Sequence, residues 1–335
     1  MPKLQKEFLS FNDDIKLVMT EPLAEKRDIL TGEIESKFPS ECENKGINVK
    51  KSELNFIYQG SYPIKTAIDD NSGTLDVDVA MSFPLDISIH DDPRILKKCV
   101  KEALARHNRT VNIKKPCITI PYHENGEEIF HVDFPLYAVY YDNYYLAVGK
   151  EFSEDYEWQD ADPKGLIKYF TDKLKGKQEL RRIIRFLKKW KSEKFSSGSN
   201  GSPPSIALTI LACEFYTEYY DDDENYDELR TLYEVVKQIK DAIPFAFDDD
   251  GRLEVFLPVK PENDTMFKIN SNKNHRQTFV TKVNYFENQL RNALNASSEH
   301  KAGEYVAKVL GNEFPLPEKE SVSGANSYGR RAEFG

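Results

Sequence analysis

The segment Thr74–Ala80 reads TLDVDVA. A strand turns successive side chains to opposite faces, so Asp76 and Asp78 point one way and Val77 and Val79 the other. Neighbouring carboxylates repel each other, and neither is readily buried unless a positive group lies between them. The pattern therefore asks for a sheet with one apolar face on a core and a cation, most simply a metal ion, on the other. Upstream, Gln59-Gly-Ser-Tyr-Pro-Ile-Lys-Thr66 follows the apolar run at 54–58. Its Gly60 and Ser61 would let backbone N–H groups and a hydroxyl approach a triphosphate closely. A third acidic residue, Asp133 in Ile129-Phe-His-Val-Asp-Phe-Pro135, shares a strand face with His131, while Val132 and Phe134 face the core. Three carboxylates on adjacent strands suit two divalent ions about 3.5–4 Å apart, the arrangement used for phosphoryl and nucleotidyl transfer. Such oxygen ligands, together with substrate phosphates, suit magnesium. His131 reads either as a general base or as a residue supporting a metal ligand.

The whole chain bounds this reading. At 335 residues it suits two lobes. No apolar run is long enough to span a bilayer, and MPKLQKEFLSFNDD carries no signal-peptide core, so no membrane partner is expected. Cys42, Cys99, Cys117 and Cys213 lack CxxC spacing, which points to free thiols in a reducing cytoplasm. A net charge of −10 argues against coating by long nucleic acid. A polyanionic ligand would need a local basic pocket, and Arg181–Lys191 (RRIIRFLKKWK) is the candidate. Arg181, Arg185 and Lys188 or Lys189 share one helical face opposite Leu180, Ile183, Ile184 and Leu187. That face is either solvated or anion-binding.

Periodicity gives helix over much of 3–38 with a break at Pro22. Strands follow at 54–58 and 75–83, then a helix at 93–107 and strands at 110–114, 117–122 and 128–134. A hairpin is expected at Asn125-Gly126 and one long strand over 137–148. Helices follow at 164–175, 178–194, 203–220, 227–242 and 277–310, with a short strand and extended segment within 253–268. The polar end from Pro317 reads as a flexible tail. The expected fold is α+β: a mixed sheet with flanking helices at 1–162, a helical domain at 163–316, a tail at 317–335, and a ligand cleft between the two lobes.

The joint order of QGSYPIKT, LDVDVAMSF and FHVDFPLY resembles the bacterial CD-NTases (cGAS/DncV-like nucleotidyltransferases) of the DNA polymerase β-like superfamily. LRRIIRFLKKW followed by PPSIALTILACEFY, then LPVKPENDTMFK and KVLGNEFP, are similar to segments of that family's helical domain. The resemblance implies a polymerase β-like palm and a magnesium-dependent (or manganese-dependent) synthase. Such an enzyme makes a cyclic di- or trinucleotide from NTPs, with ATP the leading substrate, in CBASS-type anti-phage signalling through a downstream effector. By the same resemblance Asp76 and Asp78 bind both metals, and Asp133 completes the set and helps activate a ribose hydroxyl. Gly60 and Ser61, with Gln59 beside them, cradle the β- and γ-phosphates; Lys188 reaches the triphosphate and Ser205 meets the donor nucleotide. Ile206 stands where the family often has an aromatic, which leaves base stacking unassigned; Tyr122 is one candidate. The terminal Phe334-Gly335 suits attachment by the ubiquitin-transfer-like enzymes of some CD-NTase operons, or is a plain disordered end. Other readings are nucleotide transfer to tRNA, protein or a small molecule, and a nucleotide-binding signalling protein without catalysis. A monomer is the default.

Overall fold

Alternation in Leu75–Pro84 builds the central strand, because Val77, Val79, Met81 and Phe83 bury one face completely. The computed structural model describes residues 2–18, 21–69, 75–196, 199, 201–246 and 252–319. Its elements are α1 (Gln5–Ile15), α2 (Glu21–Glu43), β1 (Asn55–Gln59), β2 (Leu75–Pro84), α3 (Pro93–Ala103), β3 (Asn112–Ile113), β4 (Ile118–Glu124) and β5 (Glu127–Phe134). There follow β6 (Leu136–Tyr140), β7 (Asn143–Gly149), β8 (Tyr156–Ala161), α4 (Pro163–Leu174), α5 (Gln178–Lys194) and α6 (Ser205–Phe215). The chain closes with α7 (Glu228–Ala246), α8 (Phe267–Asn270), α9 (Lys273–Leu294) and α10 (Glu299–Leu310).

The strands form one sheet in the order β3-β4-β5-β2-β6-β7-β8, with β1 also paired to β2. β5 and β6 run parallel to β2 in a single register, Asp78 opposite Asp133 and Met81 opposite Leu136. They are halves of one strand broken at Pro135, and both lie across β2 from β1. Their far edges carry β4 and β7 respectively, so the sheet forks there. Lys97, fully buried on α3, closes the fork by donating to the carbonyls of Lys114, Lys115 and Gly149.

Two cores result. In the sheet lobe, Leu30, Ile34 and Phe38 of α2 and Leu96 and Val100 of α3 pack on the apolar face of β2. In the helical lobe, α5, α6, α7, α9 and α10 enclose Trp190, Phe186 and Phe286. The first helix joins the second core: Phe8 stacks within 5.3 Å of Phe186 and 5.0 Å of Phe314. The N-terminal helix thus crosses from the sheet-lobe segment of sequence to the helical lobe.

Several sequence expectations change. The expected strand 137–148 is a hairpin, β6 and β7, turned by Tyr141 and Asp142, both at positive φ (46° and 60°). Strand β8 went unread. The expected helix 277–310 is two, separated at Asn295–Ser297, with the Ser298 hydroxyl capping the Lys301 N–H. Within 253–268, the described residues form an isolated bridge, Phe256 with Asp264, in place of the expected short strand, and α8 begins at Phe267. Helix α2 begins at Glu21, so Pro22 falls in its first turn rather than breaking it. The tail beyond Lys319, including Phe334-Gly335, lies outside the described residues.

Candidate active site

The parallel register of β2 and β5 sets the acidic pair against the third carboxylate: Asp76 lies opposite His131 and Asp78 opposite Asp133. Strand β4 then supplies Thr119, directly opposite Asp133, whose hydroxyl donates to Asp133 Oδ1 at 2.5 Å. On the other side of β2, Gln59 at the end of β1 pairs with Asp78 and delivers the turn above it. Gly60 has φ +76°, and a Cβ there would sit 2.1 Å from Asp78 Oδ2. Only glycine brings the turn's backbone this close to the carboxylate.

The acids repel, and the site responds unevenly. Burial, then Asp133 and Asp76, push Asp78 up to about 6. Around Asp76, crowding by the cleft walls opposes ionisation, but its side chain is still 66% accessible. The His131 hydrogen bond therefore decides the direction and holds Asp76 below the usual carboxylate range. His131 donates from Nε2 to Asp76 Oδ1 at 2.9 Å and from Nδ1 to Glu128 Oε1 at 2.9 Å, and Asp133 Oδ2 lies 3.9 Å away. Those carboxylates, Asp76 first, raise His131 to about 9 against the cost of its burial. With a carboxylate oxygen on each ring nitrogen, the metal-free fold favours the imidazolium and commits both nitrogens, an arrangement that suits support of Asp76 better than general-base work.

Among the described residues no three His, Cys, Asp or Glu side chains stand close enough to hold an ion as they are. The donor set nevertheless fits a hard divalent cation. Asp76, Asp78 and Asp133 offer only oxygen and share one face of the sheet, and burial together with the other two carboxylates makes ionised Asp78 costly, which a bound cation would relieve.

The cleft between the lobes, about 1290 Å³, is lined by Gln59, Gly60, Ser61, Asp76, Asp78, Lys188, Lys191 and Ser205. Tyr137 forms part of its floor and hydrogen-bonds Gln59, burial holding its phenol well above the usual range. Tyr62, next in the turn, has a buried hydroxyl with no hydrogen-bond partner among the described residues; burial, then Asp76 and Asp69, push it up to about 12, so it stays protonated. Lys188 is buried and donates to the Thr66 carbonyl at 2.9 Å and the Thr66 hydroxyl at 3.2 Å. Burial, then Lys191 and Arg185, press it down to about 7. The cleft lysine that sequence reading missed is Lys191, one turn further along α5, which donates to Ser205 Oγ at 3.0 Å. Its spacing of three from Lys188 was visible in the sequence; its greater exposure was not. The candidate Tyr122 is not at the cleft: it stacks on Phe130 at 4.3 Å and packs on the sheet core. Most of the basic stretch is turned inward, Arg185, Lys188 and Lys189 being buried and bonded, and Lys188 and Lys191 are its members at the cleft.

Comparison with known proteins bears on the same residues. A family model described as the nucleotidyltransferase domain of DncV-like cyclic GMP-AMP synthase matches residues 54–137, and one described as the C-terminal domain of cyclic GMP-AMP synthase matches 176–320. The chain belongs to the DncV-like nucleotidyltransferases. The first match spans the Gly60 turn and all three aspartates; the second spans α5 and Ser205. The cyclic GMP-AMP synthase of Escherichia albertii is 23% identical over 184 residues, which are 51% of this chain and 39% of that protein. The alignment thus reaches about two fifths of that relative's length. The crystal structure of Vibrio cholerae DncV, a cyclic AMP-GMP synthase, superposes with a TM-score of 0.68 at 18% identity, covering 94% of this chain and 98% of DncV. DncV with the linear intermediate pppA(3′,5′)pG gives 0.69 at 17% identity, covering 93% and 98%. The DncV-like fold, a mixed sheet with flanking helices and a helical C-terminal region, is therefore that of this chain. Among the described residues no helix is long and apolar enough to cross a membrane.

Proposed function

We propose that the protein is a nucleotidyltransferase that joins NTPs into a cyclic di- or trinucleotide, with magnesium or manganese held by Asp76, Asp78 and Asp133. The observation that carries this is the register: Asp78 faces Asp133 directly beneath the Gly60 backbone. Divalent ions bound there would supply neutralisation of the charge building on the transferred phosphate and the departing pyrophosphate. The chain's own groups do the rest. The Gly60–Ser61 turn offers donors to the triphosphate, and Lys191 with Ser205 meets it from the helical lobe. Thr119 orients Asp133 toward the attacking ribose hydroxyl, while His131 keeps Asp76 ionised.

The cleft's roughly 1290 Å³ leaves room for an acceptor nucleotide beside the donor, since it exceeds the ~300–1,000 Å³ typical of a single small ligand. A non-catalytic role fits poorly with three mutually repelling carboxylates that a binding protein has no reason to keep. The wider reading places the enzyme in the cytoplasm, in CBASS-type anti-phage signalling, with an effector that reads the product. A ubiquitin-transfer-like partner acting on Gly335 belongs to the same wider reading. The test is incubation with labelled ATP, GTP, CTP and UTP and either metal, then phosphatase and chromatography. A phosphatase-resistant product absent from Asp76→Ala/Asp78→Ala protein is expected. Label on a macromolecule instead would establish the transferase alternative.

A further inference from the structure

Helix α5 presents Arg181, Arg185 and Lys188 along one face, and each meets a successive main-chain carbonyl of the nucleotide turn. Arg181 Nε donates to Ile64 O at 3.1 Å, Arg185 Nη1 to Lys65 O at 2.6 Å, and Lys188 Nζ to Thr66 O at 2.9 Å. Three consecutive carbonyls on three cations of one helix form a register, not a chance contact. Two further observations tie the same segment to the helical lobe. The Ile64 side chain is buried in the helical core. Just beyond, the backbone of α1's exit pairs with residues 67–69, through Leu17 N to Ala67 O and Asp69 N to Ile15 O. The segment is bent: Lys65, not glycine, sits at φ +58°. It is closed back on the turn by Lys65 N to Tyr62 O and Thr66 N to Ser61 O, both at 2.9 Å.

We propose that this face of α5 is a backbone clamp, with Arg181, Arg185 and Lys188 as positioning residues that fix carbonyls 64–66 and thereby hold the Gly60–Ser61 amides in the shape that receives a triphosphate. The inference rests on the nucleotidyltransferase reading above. A left-handed lysine and a tight loop are held only if surrounding contacts over-determine them. Charged donors on carbonyls are among the stronger hydrogen bonds that can do so. The clamp also explains why Arg185 and Lys188 are buried with main-chain carbonyls as hydrogen-bond partners.

The decisive variants are at Arg181 and Arg185, because neither lines the cleft and neither can touch a nucleotide directly. Calorimetric titration of the full chain with magnesium and a non-hydrolysable ATP analogue would be set beside titration with AMP. Arg181→Met/Arg185→Met should weaken the triphosphate analogue about tenfold, the worth of one to two lost charged hydrogen bonds, and leave AMP unchanged. Arg185→Lys, which keeps a donor, should recover most of the loss. Amide exchange across residues 61–66 should quicken in the double variant. Arg185 also holds Asn12 Oδ1 at 2.8 Å, so Arg181→Met alone is the second variant should the double one melt early. Unchanged triphosphate affinity, or equal loss of both ligands, overturns the clamp. Failure of the unmodified protein to bind the analogue would instead count against the nucleotidyltransferase reading.

Discussion

At the scale of single residues, two side chains to which sequence reading assigned no role test the support of the site. Thr119 is 2% exposed and spends its hydroxyl on Asp133. Thr119→Val keeps the shape and removes only the donor, so the carboxylate loses its orientation. Activity and magnesium affinity should each fall about 10–100-fold, the usual effect of losing a group that orients a ligand. Thr119→Ser should keep most of both, as read by initial rates and metal titration. Lys65 tests the turn itself. Its left-handed backbone costs about 1 kcal/mol, which Lys65→Gly would relieve while returning a similar amount as unfolded-chain entropy. The melting temperature should therefore hardly change, whereas Lys65→Val, β-branched at positive φ, should melt clearly lower.

At the scale of elements, the buried Glu33 anchors α2 to the chain after α3. It accepts from Arg109 Nη1 at 2.7 Å and Nη2 at 3.0 Å and lies 2.6 Å from Arg106 Nη2. Burial opposes its ionisation, but the Arg109 hydrogen bonds and charge, then Arg106, hold it below its ordinary value. A carboxyl lowered on folding stabilises above its unfolded pKa, and that contribution is lost as pH falls through the folded value. Glu33→Gln should cost about 2–3 kcal/mol at pH 7, the scale of charged hydrogen bonds, and flatten the loss of stability below about pH 4.5. Denaturant melts from pH 7 to pH 3 would show both. The elements also show what the sequence could convey. Alternation in LDVDVA and FHVDF declared the two acidic strands of one sheet, whereas their parallel pairing was not legible, because a shared face is compatible with either direction. The β6–β7 hairpin was hidden because Tyr141 and Asp142 make a left-handed turn without glycine. The Ser298 cap between α9 and α10 was legible and passed over. The clamp on residues 64–66 could not be read at all, since its acceptors are main-chain atoms that no residue identity reveals.

At the scale of the molecule, the two lobes meet with opposite charge: carboxylates on the sheet floor and the cations of α5 above. The carboxylates of the floor oppose one another, at a cost to the fold's own stability. Asp78 is pushed up to about 6 by burial and by Asp133 and Asp76, so at neutral pH the metal-free fold carries an ionised group it would rather protonate. Asp78→Asn removes that repulsion at nearly constant volume. Without divalent ions the variant should melt higher than the unmodified protein, by about 2–4 °C for each kcal/mol relieved. The unmodified protein should gain stability as magnesium and a non-hydrolysable triphosphate are added, since a ligand of the native state stabilises it by mass action. The variant should gain little from either and make no product. Calorimetric scans with and without the ions separate the cases. A variant that melts lower without ions, or that still responds fully to magnesium, would mean that Asp78 serves the fold rather than the metal.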